Sequence, residues 1–418
     1  MSIRTTLLQS SLLRHLVITS TKERNMEIAE VIFLTLLSMY LRLLVASIVI
    51  AWALPSYSQQ QDSIKAVHRI AVDAVPAKIF HTNDFLRGGN EEERVMNHDM
   101  TFTLKYAFMN QDEVRPGSIH QGAYQGVGLA RHEFNPWFSN PISVYLFQGA
   151  PIINLSRRVS LNYEWNLGMA FGWNAYDEET NPENKVIGSK VTAYIDVDMY
   201  LRWMLSRHID LNAGISLSHF SNGNTTYPNL GLNTGGIRLG MAYYINRQQP
   251  SATPAVKEKA PSCRGLYTDV ILYGAWKQGV GHQGDEYYLL PGRYGVMGFN
   301  LNPMYRLNPW LSMGASMDGV YDKSASREND DSDEVNHTFG RQVALGLSAR
   351  SEFAMPYFSI NFGVGTYVLG NRNNFRGVYE VLALKVHISQ RAMLHIGYSL
   401  VDFKTPNNLM LGLGWRFF

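Results

Sequence analysis

The sequence predicts an all-β fold of antiparallel transmembrane β-barrels, and composition and strand patterning are the observations that predict it. Of the 418 residues, 12% are aromatic and 35 are glycine, a mixture typical of strands joined by tight turns. Charged residues make up only 17% of the chain, whereas a typical soluble domain has roughly 25%. Mean hydropathy is −0.16, which is too polar for a bundle of membrane helices. Segments of about ten residues that alternate apolar and polar side chains complete the signature of a membrane barrel.

Charge and cysteine content exclude several other classes of protein. The net charge is +2, from 37 basic and 35 acidic residues, and no basic stripe for nucleic acid is present. A single cysteine, Cys263, excludes an intramolecular disulfide framework and any multi-cysteine metal site. No phosphate loop or dinucleotide fingerprint occurs, so no cofactor is expected.

The amino-terminal region is expected to be an export signal. Residues 43–54 form an apolar run that follows Arg42 and precedes the small residues Ser56 and Ser58. This pattern favours a signal peptide spanning residues 1–58, cleaved after Ser58, with Met39 as the true start of translation. The alternative is a membrane anchor, because residues 32–37 are also apolar.

Alternation is clearest in three segments, residues 101–108, 159–166 and 191–200. In the second of these, one face carries Val159, Leu161, Tyr163 and Trp165, and the other carries Ser160, Asn162, Glu164 and Asn166. A soluble β-sandwich would also alternate, but its water-facing side seldom sets glycine and acidic residues against so many aromatic residues. The pattern therefore favours lipid outside and a polar lumen inside.

The carboxyl-terminal strand supports export to the bacterial outer membrane. One face is apolar and aromatic: Leu409, Leu411, Leu413, Trp415 and Phe417. The chain then stops at Phe418, one residue out of register with the usual pattern in which the final Phe belongs to the apolar set. Such a strand resembles the one by which the barrel-insertion machinery recognises outer-membrane proteins, so that machinery is an expected partner.

The chain is expected to be an internal duplication. Residues 206–220 match residues 389–403 without gaps, 183 positions later. Seven or eight strands per half permit two eight-stranded barrels in tandem or a single barrel of about sixteen strands. We favour two barrels because the unpatterned segment between the halves is long for a turn. The expected organisation is a signal region 1–58, a polar segment 59–96, a first barrel 97–246, a linker 247–264 and a second, degenerate barrel 265–418.

His219 and Ser221 form the candidate catalytic pair. Alternation through residues 214–221 places both side chains on the apolar, lipid-facing side, two residues apart on one strand. A polar pair on that face is costly unless it lies near the membrane surface or has a function. If each half has an even number of strands and both its ends are periplasmic, residues 221–229 lie at the cell surface. A serine beside a histidine there indicates acyl transfer, although a rim position without catalysis is equally compatible with the spacing.

The motif His219-Phe-Ser221-Asn222-Gly223, followed by Pro228-Asn229-Leu-Gly231, resembles the signature of the lipid A 3-O-deacylase (PagL) family. That resemblance covers the first half and the last strands of the second. It implies an outer-membrane carboxylic ester hydrolase that acts on lipid A of lipopolysaccharide, with His219 as base and Ser221 as nucleophile. The family has an acidic residue twelve positions beyond the serine, where this chain has Asn233.

Asn233 is therefore the candidate residue for orienting His219, although an amide lacks the charge that stabilises an imidazolium. Asn222 and the backbone around Gly223 are the candidate oxyanion donors, and Asn229 belongs to the same motif. The second half has Asp402 and Lys404 in place of His219 and Ser221, so we expect it to be noncatalytic. The leading hypothesis is an esterase that removes an acyl chain from an outer-leaflet lipid. The alternative is a noncatalytic porin, adhesin or scaffold derived from that family.

Overall fold

The structure is a computed structural model. It describes residues 66–110, 121–134, 138–247, 264–283, 286–290, 292–325, 339–355, 358–370, 375, 377–402 and 405–418. The expected signal region 1–58, most of the expected linker 247–264 and Lys404 lie outside these residues. Within the described ranges, none of the helical segments has the length and hydropathy needed to span a bilayer.

The first half forms a closed barrel of eight antiparallel strands in sequence order. Its strands are β1 (Val67–Ile79), β2 (His98–Met109), β3 (Tyr124–Glu133), β4 (Ile142–Asn154), β5 (Val159–Phe171), β6 (Val191–Met204), β7 (Ile209–Ser221) and β8 (Leu232–Ile245). β1 closes the barrel by pairing with β8.

The first barrel begins earlier than the strand patterning predicts. β1 lies inside the segment 59–96 that was assigned as a polar segment preceding the barrel. The alternation in β1 is weak because its buried, inward face mixes Arg69 and Asp73 with apolar residues, while Pro76 stands on its outer face. Without this strand, β2 and β8 would each be left with an unpaired edge.

The second half closes as a separate barrel of eight strands, so the alternative of one sixteen-stranded barrel is wrong. Its strands are β9 (Gly265–Lys277), β12 (Tyr294–Asn308), β13 (Leu311–Asp322), β14 (Val343–Ala354), β15 (Phe358–Leu369), β16 (Val378–His387), β17 (Ala392–Val401) and β18 (Thr405–Phe417). A hairpin of β10 (Val280–Gln283) and β11 (Glu286–Leu289) follows β9, and a short helix, α1 (Phe339–Gln342), precedes β14.

The duplication is visible in the turns that lead into the matching strands β7 and β17. Ser206 Oγ accepts hydrogen bonds from the backbone N–H groups of His208 and Ile209, both at 3.1 Å. Ser389 Oγ accepts bonds from the N–H groups of Arg391 and Ala392, at 3.2 and 2.9 Å. The two halves therefore share turn geometry as well as sequence at this point.

The outer faces of both barrels are apolar, as a lipid environment requires. Outward residues such as Leu217 and Ile237 expose 52% and 57% of their surface. The terminal strand β18 behaves in the same way, with Leu411, Leu413 and Trp415 exposed. Because water would penalise so large a contiguous apolar belt, the belt is the surface that contacts lipid.

The lumen of the first barrel is filled by an ion network. Arg238 bonds Asp73 at 2.9 Å, Glu164 at 3.0 Å and Asp198 at 2.7 Å, and all four side chains are buried. The cavity that Arg238 and Asp198 help to line has a volume of about 10 Å³, room for about one water molecule. The described part of this lumen therefore leaves no room for a channel.

The second lumen is filled in the same manner. Arg416 and Lys385 both bond Asp269 and Glu352, at distances from 2.5 to 2.9 Å. Charged groups this deeply buried need partners, so each network fixes the inward side chains of several strands at once.

The two barrels pack side by side through their outer faces. The rings of Trp165 on β5 and Phe358 on β15 meet edge to face with centroids 4.3 Å apart, and Leu384 on β16 joins them. The Trp165 Nε1–H group lies 3.1 Å from the sulfur of Met355. Apolar side chains that would otherwise face lipid are thus buried between the barrels.

Candidate active site

His219 lies near the end of β7, on the outer face of the first barrel. At this end the connections between strands are long, and they include residues 80–97, 172–190 and 222–231. The opposite end has the four-residue turns 155–158 and 205–208 and the intermediate connection 110–123. Outer-membrane barrels carry their longer loops at the cell surface, so His219 and the loop 222–231 belong to the outer leaflet side.

The antiparallel register places His219 directly opposite Asn233 on β8. The Nδ1 atom of His219 and the Oδ1 atom of Asn233 are 2.7 Å apart. An amide oxygen accepts a hydrogen bond, so this contact puts the proton of the neutral ring on Nδ1. The lone pair of Nε2 is then available to take a proton.

Ser221 lies two residues farther along the same face and is 7% exposed. Its Oγ atom accepts hydrogen bonds from the Gly223 N–H group at 3.1 Å and from the Asn229 side-chain amide at 2.9 Å. The Asn229 amide is fixed in turn by the backbone N–H group of Asn222, which donates to its oxygen at 3.0 Å. Ser221, Asn222, Gly223 and Asn229 therefore form one hydrogen-bonded group.

The loop that carries this group needs glycine at two positions. Gly223 has a φ of +65°, and a Cβ atom there would stand 2.4 Å from the Leu409 side chain. Gly231 has a φ of +72°, and a Cβ atom there would lie 3.2 Å from Cε1 of His219. Both glycines adopt a backbone conformation that other residues rarely accept, and both allow close approach to the candidate site.

The structure brings the predicted residues together in two sets. His219 contacts Asn233, and Ser221 contacts Gly223 and Asn229, but among the described residues no hydrogen bond joins the His219 ring to the Ser221 hydroxyl. The two side chains lie two residues apart on one face of β7. Catalytic hydrogen bonds are often long before the substrate is bound.

Asn222 has a different contact from the one expected of an oxyanion donor. Its side-chain amide donates to the Thr226 carbonyl at 2.6 Å, and its backbone N–H group is bonded to Asn229. These contacts hold the loop, whereas Gly223 and Asn229 supply the two N–H donors that point at the serine oxygen.

Among the described strands, no carboxylate from the lumen reaches His219. Glu164 and Asp198 bond Arg238 inside the barrel, and Asp196 accepts hydrogen bonds from the hydroxyls of Ser216 and Ser218. Alternation along the strands predicts these inward positions. The barrel wall therefore separates the lumen carboxylates from the imidazole.

A second histidine and serine pair, which the sequence patterns do not reveal, lies inside the lumen. His132 Nε2 is 2.8 Å from Ser143 Oγ, and His132 Nδ1 is 2.8 Å from Thr101 Oγ. Both His132 and Ser143 have no exposed surface, and Phe220 packs edge-on against the His132 ring. A lipid ester has no access to this pair, which we interpret as part of the packed interior.

The second barrel packs against the loop that follows the candidate serine, a contact that the strand patterning does not predict. The Leu409 side chain occupies the space beside Gly223, and Tyr398, the strand partner of Leu409, has a buried hydroxyl that makes no regular hydrogen bond among the described residues. At the matched position in the second barrel, the counterpart of His219 is Asp402, which lies in a turn after β17 and accepts a bond from the Val378 N–H group. The second half thus presents its outer face, not a second catalytic pair.

A groove of about 500 Å³ continues from this contact along the outer face of the second barrel. Its apolar walls include Trp276, Met297, Leu409 and Leu411, and Thr225 of the candidate loop lies at its edge. Arg293 is the charged residue of its lining. The groove therefore starts beside the candidate site and offers apolar contacts in the plane of the lipid.

Comparison with known families gives two matches that together cover most of the chain. Residues 100–242 match the family described as lipid A 3-O-deacylase (PagL). Residues 266–418 match the family described as acyloxyacyl hydrolase, C-terminal domain. No curated protein matches the chain at a significant level.

Solved structures with some likeness are bacterial surface barrels. Neisserial surface protein A is 12% identical with a TM-score of 0.29, and the match covers 42% of this chain and 96% of that protein. The Acinetobacter baumannii outer membrane protein Omp33 is 7% identical with a TM-score of 0.16, and the match covers 84% of this chain and 98% of that protein.

Proposed function

The chain belongs to the lipid A 3-O-deacylase and acyloxyacyl hydrolase family of the bacterial outer membrane, and from this we propose that it is an esterase that removes an acyl chain from lipid A. One observation carries the proposal for the site. His219 is oriented by Asn233 on the lipid-facing surface, with Ser221 next along the same strand face and at the end of the barrel with long loops.

In the proposed reaction, Ser221 Oγ attacks the ester carbonyl carbon while His219 Nε2 takes the serine proton. The carbonyl electrons move to the oxygen, and the Gly223 N–H group and the Asn229 amide stabilise the charge that develops there. The tetrahedral intermediate expels the alkoxide of the lipid, which takes the proton from His219. Water, activated by His219, then hydrolyses the acyl-serine bond.

The groove on the second barrel is the proposed site for the acyl chain. It begins beside Gly223, where Leu409 contacts the loop, and its walls are apolar. An acyl chain placed there would keep its carbon atoms out of water while its ester lies at Ser221. Arg293 would lie at the polar end of the same lipid, where phosphate groups of lipid A are found.

The proposal is tested by mass spectrometry of lipid A from cells that express the wild-type chain or Ser221→Ala. We expect lipid A to lose one acyl mass with the wild type and to stay intact with the variant. Ser143→Ala is the matched control because it removes the serine of the lumen pair, and it should retain activity. Loss of activity in Ser143→Ala but not in Ser221→Ala would refute the assignment.

A noncatalytic barrel is the second candidate, favoured by the amide of Asn233 where the family has a carboxylate. Among such roles, a porin is the least compatible with the filled lumens, so a scaffold or adhesin is the alternative. Unchanged lipid A in cells with correctly folded wild-type protein would support this second candidate.

A further inference from the structure

The second barrel meets the candidate catalytic loop near Tyr398, which lies on the outward face of β17. The Tyr398 hydroxyl is buried and makes no regular hydrogen bond among the described residues. Tyr398 is the strand partner of Leu409 on β18, so the two side chains share one face, and Leu409 packs beside Gly223, two residues after Ser221. A buried hydroxyl without a regular partner is unusual, because such groups are nearly always hydrogen-bonded.

The interface around Tyr398 is fixed by contacts on the loop after β7. The backbone N–H group of Gln278, in the second barrel, donates to the Asn224 carbonyl at 3.0 Å. The side-chain oxygen of Gln278 accepts a bond from the Tyr227 N–H group at 2.8 Å. With Leu409 packed beside Gly223, these bonds dock the second barrel directly onto the candidate catalytic loop.

Resting on the function proposed above, we propose that Tyr398 is a catalytic residue that donates a hydrogen bond to the substrate oxygen as it becomes negatively charged. Gly223 and Asn229 approach Ser221 from the loop, and Tyr398 faces the same loop from the second barrel, beside Leu409. A phenol hydroxyl can donate, and Tyr398 has no competing partner of regular geometry that would have to be broken first.

As the bond between Ser221 Oγ and the carbonyl carbon forms, the π electrons of the carbonyl move onto its oxygen. Tyr398 keeps its proton and donates a hydrogen bond to that oxygen, while His219 holds the proton released by Ser221. When the carbonyl re-forms and the alkoxide leaves, the hydrogen bond from Tyr398 weakens, so its contribution is greatest in the transition state.

The second barrel thereby acquires a function that its own sequence does not reveal. It lacks a histidine and serine pair at the matched positions, yet its outer face supplies one donor to the site of the first barrel. The active site is then composite, with the nucleophile and base from one barrel and part of the oxyanion site from the other.

The test is Tyr398→Phe, which keeps the ring and removes only the hydroxyl. Using purified full-length protein in detergent and lipid A as substrate, we expect kcat to fall by about 10²-fold with little change in KM, as for loss of one oxyanion donor. Tyr305→Phe is the matched control because Tyr305 lies on the outer face of the same barrel and is 41% exposed. Its kinetics should equal those of the wild type.

A second measurement tests whether Tyr398 stabilises the tetrahedral adduct at Ser221. Covalent labelling of Ser221 by a fluorophosphonate should slow in Tyr398→Phe, because the adduct carries the same developing charge. Wild-type kcat and labelling rate in Tyr398→Phe would overturn the inference while leaving the proposed function intact. An inactive and unlabelled wild type would instead refute the proposed function itself.

Discussion

The Nδ1 atom of His219 lies 2.7 Å from the Oδ1 atom of Asn233, across the last two strands of the first barrel. The register of β7 and β8 makes the two residues direct partners, so the contact follows from strand pairing and needs no loop. An amide at this position orients the ring and sets its tautomer, but it contributes no negative charge when the ring is protonated.

Asn233→Asp is therefore expected to raise kcat, by about 10-fold or more, because a carboxylate of similar shape would stabilise the imidazolium by charge. The measurement is the rate of fatty acid release from lipid A. Asn233→Leu serves as the opposite control, since it removes the hydrogen bond and should lower kcat. Equal rates in all three proteins would show that His219 does not act through this contact.

Asn229→Ala tests the hydrogen bonds around the nucleophile. The change removes the donor at 2.9 Å from Ser221 Oγ and the acceptor for the Asn222 N–H group. We expect kcat to fall by about 10²-fold, as for other oxyanion donors. Heat-modifiable mobility on gels would confirm that the barrel is folded, and full activity in a folded Asn229→Ala protein would remove Asn229 from the site.

Gly223→Ala tests the contact between the barrels. The added Cβ atom would stand 2.4 Å from Leu409, and the residue would also keep a φ of +65°, a conformation that costs about 1–3 kcal/mol for most residues. We expect a strong loss of kcat/KM. The double variant Gly223→Ala with Leu409→Ala should recover part of it, because only the steric portion is relieved.

One outcome of the double-mutant comparison would contradict the contact between residues 223 and 409. Losses that simply add in the double variant would mean that residues 223 and 409 do not touch.

Met297→Trp tests the groove on the second barrel. The larger ring would narrow a groove whose walls include Trp276 and Leu411. We expect KM to rise several-fold for esters of long acyl chains and to stay constant for short ones, because only long chains reach the narrowed part. Met313→Trp is the control, since Met313 is exposed on the outer face of the same barrel and does not line the groove. The same KM change for both chain lengths would place the acyl chain elsewhere.

Arg238→Met tests the role of the filled lumen. The substitution removes one of the two buried cations that Asp73, Glu164 and Asp198 share, and Lys105 is the other; breaking a buried ion pair costs about 3–5 kcal/mol. We expect a lower thermal midpoint for loss of the heat-modifiable form. Arg131→Met, whose side chain is 58% exposed, should leave the midpoint close to that of the wild type. Equal midpoints for both variants would mean that the network does not stabilise the barrel.

The fold was predictable because a bilayer imposes a simple rule on each strand. Residues that face lipid must be apolar and residues that face the lumen are polar, so strands such as β5 and β18 are visible in the sequence. The same rule placed Glu164 inside and His219 outside. The rule did not reveal β1, because polar and apolar residues mix on its inward face and Pro76 lies on its outer face, which obscures the alternation.

Within the site, the sequence by itself determined the residue types and their spacing: a histidine, a serine two positions later, and an asparagine on the next strand. Local pairing of β7 with β8 was enough to bring His219 and Asn233 together. Only the tertiary structure decided that the two halves close separately and then pack side by side, which sets Tyr398 and Leu409 against the loop of the first barrel. These contacts form between two outer faces that the sequence alone predicts to be exposed to lipid. An apolar side chain is equally suited to contact lipid or protein, so the sequence does not distinguish the two.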